Sequence, residues 1–157
     1  MRLTLRPYRP EDFDTLYAID QACYDPAVAY SKWDLTQYMR LPGADCLVAE
    51  SGDAPLGFVL SAHERDCGHV ITIDVLAPHR RTGVGSALLS AAEKRLAASG
   101  ITRVVLETAT NNQPAISFWQ KHGYRTRGVL KNYYPNGLDA FAMSKSLRSS
   151  VHEDKES

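Results

Sequence analysis

The stretch "HRRTGVGSALL", His79 to Leu89, places two glycines one residue apart, behind two arginines and ahead of a run with helical spacing. Glycine lets backbone come close to a ligand, and the first N–H groups of a helix have no internal partner. Arg80 and Arg81 add positive charge beside them. This is the make-up of an anion cradle at a helix start. Two common phosphate loops do not fit it. A Walker loop needs Lys-Ser/Thr after its second glycine, and here Ser86-Ala87 follows Gly85. A dinucleotide fingerprint needs a third glycine, and position 88 is Leu. Glycine spacing alone does not separate such a cradle from a plain strand-to-helix turn with solvated arginines.

Outward from this stretch the pattern alternates between strands and helices. On the C-terminal side, "GSALLSAAEKRLAAS" is rich in helix formers, and Gly100 stops it. "TRVVLETAT" reads as a strand buried at Val104-Val105-Leu106, and "QPAISFWQKH" reads as a helix capped by Asn112. Two last strands are expected, "YRTRGVLKNYY" and "DAFAMSKSL", about the turn "PNG". On the N-terminal side, "DCLVAE", "LGFVLSAHE" and "HVITIDVLA" are joined by short turns and form an antiparallel meander. Ahead of them stand a strand, "LTLRPY", a helix opened by Pro10, and a short helix capped by Ser31. The order is β-α-α-β-β-β-α-β-α-β-β. A meander feeding a βαβ crossover implies an α/β fold with a mixed sheet. One domain, residues 1–147, is expected, with a polar tail over residues 148–157.

Composition narrows the function classes. The chain has 157 residues, 18 Lys plus Arg and 18 Asp plus Glu. Zero net charge argues against a nucleic-acid module. Cys23, Cys46 and Cys67 show no paired spacing, so neither a disulfide framework nor a zinc knuckle is expected. His63, His69 and His79 lack metal-ligand spacing, and no metal is expected. The N-terminus has no signal-peptide core, and no apolar run is long enough to cross a bilayer, so a cytoplasmic location is expected.

"VLAPHRRTGVGSALL" resembles the acetyl-CoA signature of the GNAT superfamily of N-acetyltransferases: Arg or Gln, two residues, Gly, one residue, Gly or Ala. Arg80-Arg81-Thr82-Gly83-Val84-Gly85 fits it. A second segment, "NNQPAISFWQKHGY", resembles the family's Asn-x-x-Ala segment. The resemblance implies acetyl-CoA as co-substrate. Its pyrophosphate would lie on the backbone N–H groups from Arg81 to Ser86, including Thr82 and Val84. The pantetheine arm would pair with Ile73, Asp74 and Val75 as an added strand, and Asn112 would touch the same arm. The N–H near Val75 would face the developing oxyanion.

An amine must be neutral to attack a thioester. For an α-amino group, at pKa about 7.8, that is a mild requirement at pH 7; a lysine at about 10.4 costs roughly 3.5 kcal/mol more. Glu107 is the candidate base. It ends a buried run, where an acid is costly without a partner or a purpose. The stretch from Val104 to Leu147, with its "LET", "NNQPAI" and "NYYP…DA" segments, resembles the ribosomal-protein alanine N-acetyltransferases and related protein N-terminal acetyltransferases. That resemblance puts the general base at Glu107 and a peptide-lining pair at Tyr133 and Tyr134. It implies a protein or peptide N-terminus as acceptor, a ribosomal protein being one such case. Adjacent tyrosines on a strand face opposite sides, so at most one is expected at a site.

The chain departs from that group at Trp119, where the group has a tyrosine that acts as acid for the leaving thiolate. An indole cannot deliver a proton at useful pH. Protonation by solvent suffices for a thiolate of pKa about 8.5, and Tyr124, Tyr133, Tyr134 and His122 are the alternative donors. Trp119 is expected to be an apolar wall. Direct attack is expected, since no cysteine has a paired histidine signature. Competing readings are acetylation of a small free amine and an acyl-CoA-binding module without turnover.

Overall fold

The computed structural model describes residues 2–147. The polar tail therefore lies outside the described residues. Seven strands form one mixed sheet: β1 (Thr4–Pro7), β2 (Asp45–Ser51), β3 (Ala54–Glu64), β4 (Cys67–Val75), β5 (Arg103–Ala109), β6 (Arg125–Leu130) and β7 (Ala140–Ser146). The order across the sheet is β1-β2-β3-β4-β5-β7-β6. Four α-helices cover it: α1 (Phe13–Cys23), α2 (Lys32–Met39), α3 (Val84–Ala98) and α4 (Gln113–Lys121). The element order and the antiparallel meander agree with the sequence reading. The β4–α3–β5 crossover yields the sheet's parallel pair.

Side-chain alternation sorts the apolar residues onto two cores. Leu47, Ala49 and Val59 join Val84, Leu88, Ala92 and Leu96 of α3 on one face. Val48, Phe58 and Leu60 join Leu16 and Ile19 of α1 and Leu35 of α2 on the other. Strand β4 changes phase within its length. Leu60 pairs with Thr72 but Ser61 pairs with Val70, so Ile71 is an extra residue in the ladder. Beyond it, Ile73 and Val75 pack against the α3 core, while Asp74 is buried on the α1 side, where its carboxyl meets Asp20 of that helix.

Strands β4 and β5 pair over only three residues, Cys67–Arg103, Gly68–Val104 and His69–Val105. After His69, β4 stays with β3 and β5 stays with β7. The sheet therefore opens into a wedge with its apex at His69. Three carbonyls on the outer half of β4 accept side-chain donors: Ile71 from the Tyr30 hydroxyl, Ile73 from the Tyr24 hydroxyl, and Val75 from Arg80 and the Cys23 thiol. Alternate carbonyls of one strand share a side, so this row faces into the wedge.

Two expectations need correction. Pro10 opens a single 3-10 turn, and the α-helix begins at Phe13, because the Asp12 side chain turns back onto Arg6 and the Arg9 N–H. The strand expected to run to Tyr134 ends at Leu130. Asn132 takes a left-handed conformation (φ 52°), and Asp139 ties the bend by accepting from the Asn132 N–H and from Lys131. Val105 is also only half-buried, since it shares its face of β5 with Glu107.

Candidate active site

The cofactor-side candidates lie at the end of β4, at the turn into α3 and at the start of α4. Arg81 and Gly83 both take left-handed φ values, 63° and 92°, and turn the chain into α3. A Cβ added at Gly83 would meet no atom nearby, so the need for glycine there is conformational; at Gly85 a Cβ would lie 3.3 Å from the Phe118 ring, so the need there is close packing of α3 on α4. Helices α2 and α4 have side-chain caps, Ser31 Oγ on the Asp34 N–H and Asn112 Oδ1 on the Ala115 N–H. Helix α3 has none at Gly83. Its first N–H groups, those of Val84, Gly85 and Ser86, remain available to an anion.

The side chains around this turn brace it. Arg80 Nε donates to the Val75 carbonyl at 2.8 Å, and the Thr82 hydroxyl donates to the His79 carbonyl. Ser86 Oγ lies 2.9 Å from His122 Nε2, so its side chain turns toward α4 and leaves its backbone to face outward. The Asn112 cap uses Oδ1 and leaves Nδ2 for a ligand. Ile73 and Val75 lie on the open half of β4. The Asp74 side chain does not share their face: it is buried on the α1 side of the sheet and takes a bond from the Thr72 hydroxyl.

At the apex of the wedge, Glu107 Oε1 lies 2.8 Å from His69 Nε2. The imidazole N–H donates and the carboxylate accepts. Glu107 is partly buried, with 22% of its side chain exposed, so water can reach it. The Tyr133 hydroxyl also points at Oε1, at 3.5 Å. Burial and the charge of Glu107 raise the Tyr133 phenol, and they push Tyr134 up to about 12. Burial and then Glu107 raise Tyr38 of α2 as well. Glu107 therefore sits within a group of phenols that stay protonated at neutral pH.

The Tyr133 hydroxyl reaches Glu107, and the ground for expecting at most one of the pair at a site, adjacent positions on a strand, does not hold. They are not on a strand. The Asn132 bend places them in a turn closed by Tyr134 N–H to Leu138 O and Gly137 N–H to Tyr134 O, with their rings edge-to-face at 4.9 Å.

His69 escapes a reading of the sequence as a site residue, because its spacing from other histidines bears only on metals. Tyr38 and Tyr30 escape it too; their rings meet edge-to-face at 5.2 Å, and burial raises Tyr30 most. The alternation of β4 holds a usable signal for His69, but the extra residue at Ile71 hides which side chains share its face. Trp119 is buried, edge-to-face with Phe118 at 5.1 Å and Tyr124 at 5.5 Å. It is an apolar wall of the core. The Tyr124 hydroxyl donates to Glu93 and His122 bonds Ser86, which turns both away from Glu107. Among the described residues no group of three or more acidic, histidine or cysteine side chains is placed to hold a metal. No described helix is long and apolar enough to cross a membrane.

The chain is similar to several known proteins. An N-alpha-acetyltransferase of Saccharolobus solfataricus is 27% identical over 157 residues, covering 92% of this chain and 93% of that protein. An N-alpha-acetyltransferase of Sulfurisphaera tokodaii is 41% identical over 81 residues, 51% of this chain and 48% of that protein, so this match spans about half of that relative's length. The crystal structure of Ard1 from Thermoplasma volcanium superposes with a TM-score of 0.85 at 26% identity, covering 93% of this chain and 98% of that one. The family model described as "Acetyltransferase (GNAT) family" matches residues 13–124. With the wedge between β4 and β5, the uncapped start of α3 and this match over most of its length, the chain belongs to the acetyltransferase (GNAT) family.

Proposed function

We propose that this chain transfers acetyl from acetyl-CoA to the α-amine of a protein N-terminus by direct attack. The observation that carries the reading is the Glu107–His69 pair at the apex of the wedge, between an anion-binding helix start and a tyrosine-lined opening. The residues fit the co-substrate. The N–H groups from Arg81 to Ser86 would hold its pyrophosphate, the outer edge of β4 from Ile73 to Val75 its pantetheine amides, and Asn112 Nδ2 the same arm.

Glu107 takes the proton of the attacking amine, through a water, and His69 holds the carboxylate in place and steadies its charge through Nε2–H. The N–H near Val75 faces the oxygen on which charge develops. The thiolate takes its proton from solvent, with Tyr133 as the nearest phenol to the base. An N-terminal amine suits one water-accessible carboxylate, since it needs little help to lose its proton at neutral pH. Names of relatives that specify N-alpha acetylation support the same acceptor class.

The test is an acetylation assay across N-terminal peptides, a ribosomal-protein N-terminus among them, together with a lysine peptide and free amines, read by mass spectrometry. Modification of peptide α-amines is expected. Preference for lysine or for a small free amine overturns the reading.

A further inference from the structure

Away from Glu107, a second pair of acids lies fully inside the protein. Asp20 of α1 is 0% exposed and Asp74 of β4 is 1% exposed, and their carboxyl groups lie within hydrogen-bond reach of each other. Such a bond requires one proton, because two carboxylates have no donor between them. The other oxygens are already taken. Thr72 Oγ1 donates to Asp74 Oδ1 at 2.5 Å, and the Tyr30 N–H donates to Asp20 Oδ2 at 2.8 Å. Asp20 Oδ1 and Asp74 Oδ2 are buried and accept from no donor in the described residues, which leaves them as the two oxygens a shared proton would join.

Among the described residues no Lys, Arg or His side chain forms an ion pair with either carboxyl. The titratable groups around it are Cys23 and Tyr24 at the end of α1, Tyr30, Cys46 of β2, and Arg80. Arg80 Nε donates to the Val75 carbonyl, which the Cys23 thiol also reaches. A single buried carboxylate with good hydrogen bonds is tolerable; two in contact are not. Burial, reinforced by Asp20, holds Asp74 well above the usual carboxylate range.

What the pair fastens is the segment from Tyr24 to Tyr30, which joins α1 to the tyrosines near Glu107. Asp20 holds the Tyr30 N–H, Gln21 Nε2 holds the Tyr30 carbonyl at 2.7 Å, and the Tyr24 and Tyr30 hydroxyls reach the β4 carbonyls of Ile73 and Ile71. We propose that Asp20 and Asp74 form a one-proton latch that positions the 24–31 segment against β4, and that loss of the proton releases the segment and weakens acceptor binding. The latch stands on its own geometry; its effect on the acceptor rests on the function proposed above.

The sign follows from the raised proton affinity. The latched form binds one more proton than the released form between the ordinary carboxylate range and the pair's raised value. Within that window the latch weakens as pH rises, by up to about tenfold per unit. Asp74→Asn removes the dependence, because its Nδ2–H donates to the Asp20 carboxylate without a shared proton. Asp20→Asn is the mirror variant, should the first not fold.

Hydrogen exchange of the 24–31 segment is measured between pH 6 and 9 in the full chain and in Asp74→Asn, each corrected for intrinsic exchange. Protection is expected to fall with pH in the parent and to stay flat in the variant. Flat protection in the parent, or equal slopes in both, overturns the latch. Acceptor KM is then compared between the two proteins, so that titration of Glu107 and of the amine cancels. The parent-to-variant KM ratio is expected to rise with pH; a flat ratio beside pH-dependent protection overturns the acceptor role. Failure to acetylate any amine overturns the proposed function and leaves the exchange result standing.

Discussion

Glu107 meets His69 at the last paired rung of β4 and β5: His69 pairs in register with Val105, and Glu107 stands two residues further along β5, on the same face as Val105. The contact thus joins the closed part of the sheet to its open part. A base placed there is held by a rigid ladder on one side and reached by solvent on the other.

Replacing Glu107 by Gln keeps the shape and removes the base. The expected loss in kcat/KM is about a hundredfold or more, the range of general-base contributions. Affinity for CoA, measured by calorimetry, is expected to stay unchanged, since Glu107 is not at the α3 turn. His69→Phe removes the bond at Nε2 and is expected to lower kcat, by less than Glu107→Gln does, with CoA affinity unchanged.

Tyr133→Phe tests the tyrosine turn. The Tyr133 hydroxyl points at Glu107 Oε1, and the residue, about half exposed, borders the proposed acceptor opening. A rise in acceptor KM is expected with kcat changed less. Trp119→Phe is expected to leave kcat nearly unchanged and to lower stability by about 1 kcal/mol, through its lost contact with Tyr124. A thousandfold fall in kcat would show that Trp119 takes part in the chemistry.

Gly83→Ala forces a side chain into a left-handed conformation at φ 92°. A stability cost of about 1 kcal/mol is expected in urea unfolding, with weaker CoA binding because the first N–H groups of α3 shift. Gly85→Ala meets the edge of Phe118 most closely, with Val75 Cγ2 in ordinary contact at 3.9 Å, and its effect is expected to fall mainly on the packing of α3 against α4.

Acid stability depends on Asp12. The Arg6 guanidinium bonds both of its carboxylate oxygens and holds it below the usual carboxylate range against the opposing effect of burial, with the Arg9 N–H assisting. A depressed folded-state pKa means the contribution is present above the unfolded value near 3.9 and is lost as pH falls through the folded value. Arg6→Gln is expected to cost about 2 kcal/mol at pH 7. Its gap from the parent in urea midpoint is expected to shrink below pH 4.

Much of this was legible in the sequence because local signals agreed. Gly100 ends α3, Asn112 and Ser31 cap their helices, and short turns define the meander. The Glu107 position followed from an acid at the end of an apolar strand. Features that depend on pairing between distant segments were not legible. Nothing local to "HVITIDV" says that Ile71 is an extra rung, so the shared face of His69 and Glu107 was hidden. Nothing local to "KNYYP" says that Asp139 will bend the chain at Asn132 and turn both tyrosines. Asp20 and Asp74 are each ordinary in isolation; only the docking of α1 on β4 makes them a pair.

The extra residue at Ile71 sorts the side chains of one strand between two tasks. Such sorting is set by the count of residues, and the identity of any one of them does not alter it. Point substitution along β4 can therefore change size or charge at either end without exchanging the ends. Were the same residues to alternate strictly from His69 onward, with no extra residue, Thr72 and Asp74 would turn onto the face now held by Ile73 and Val75. Deletion of Ile71 itself would regularise the ladder and leave both ends on their present faces, whereas a one-residue insertion or deletion that the bulge does not absorb would exchange them.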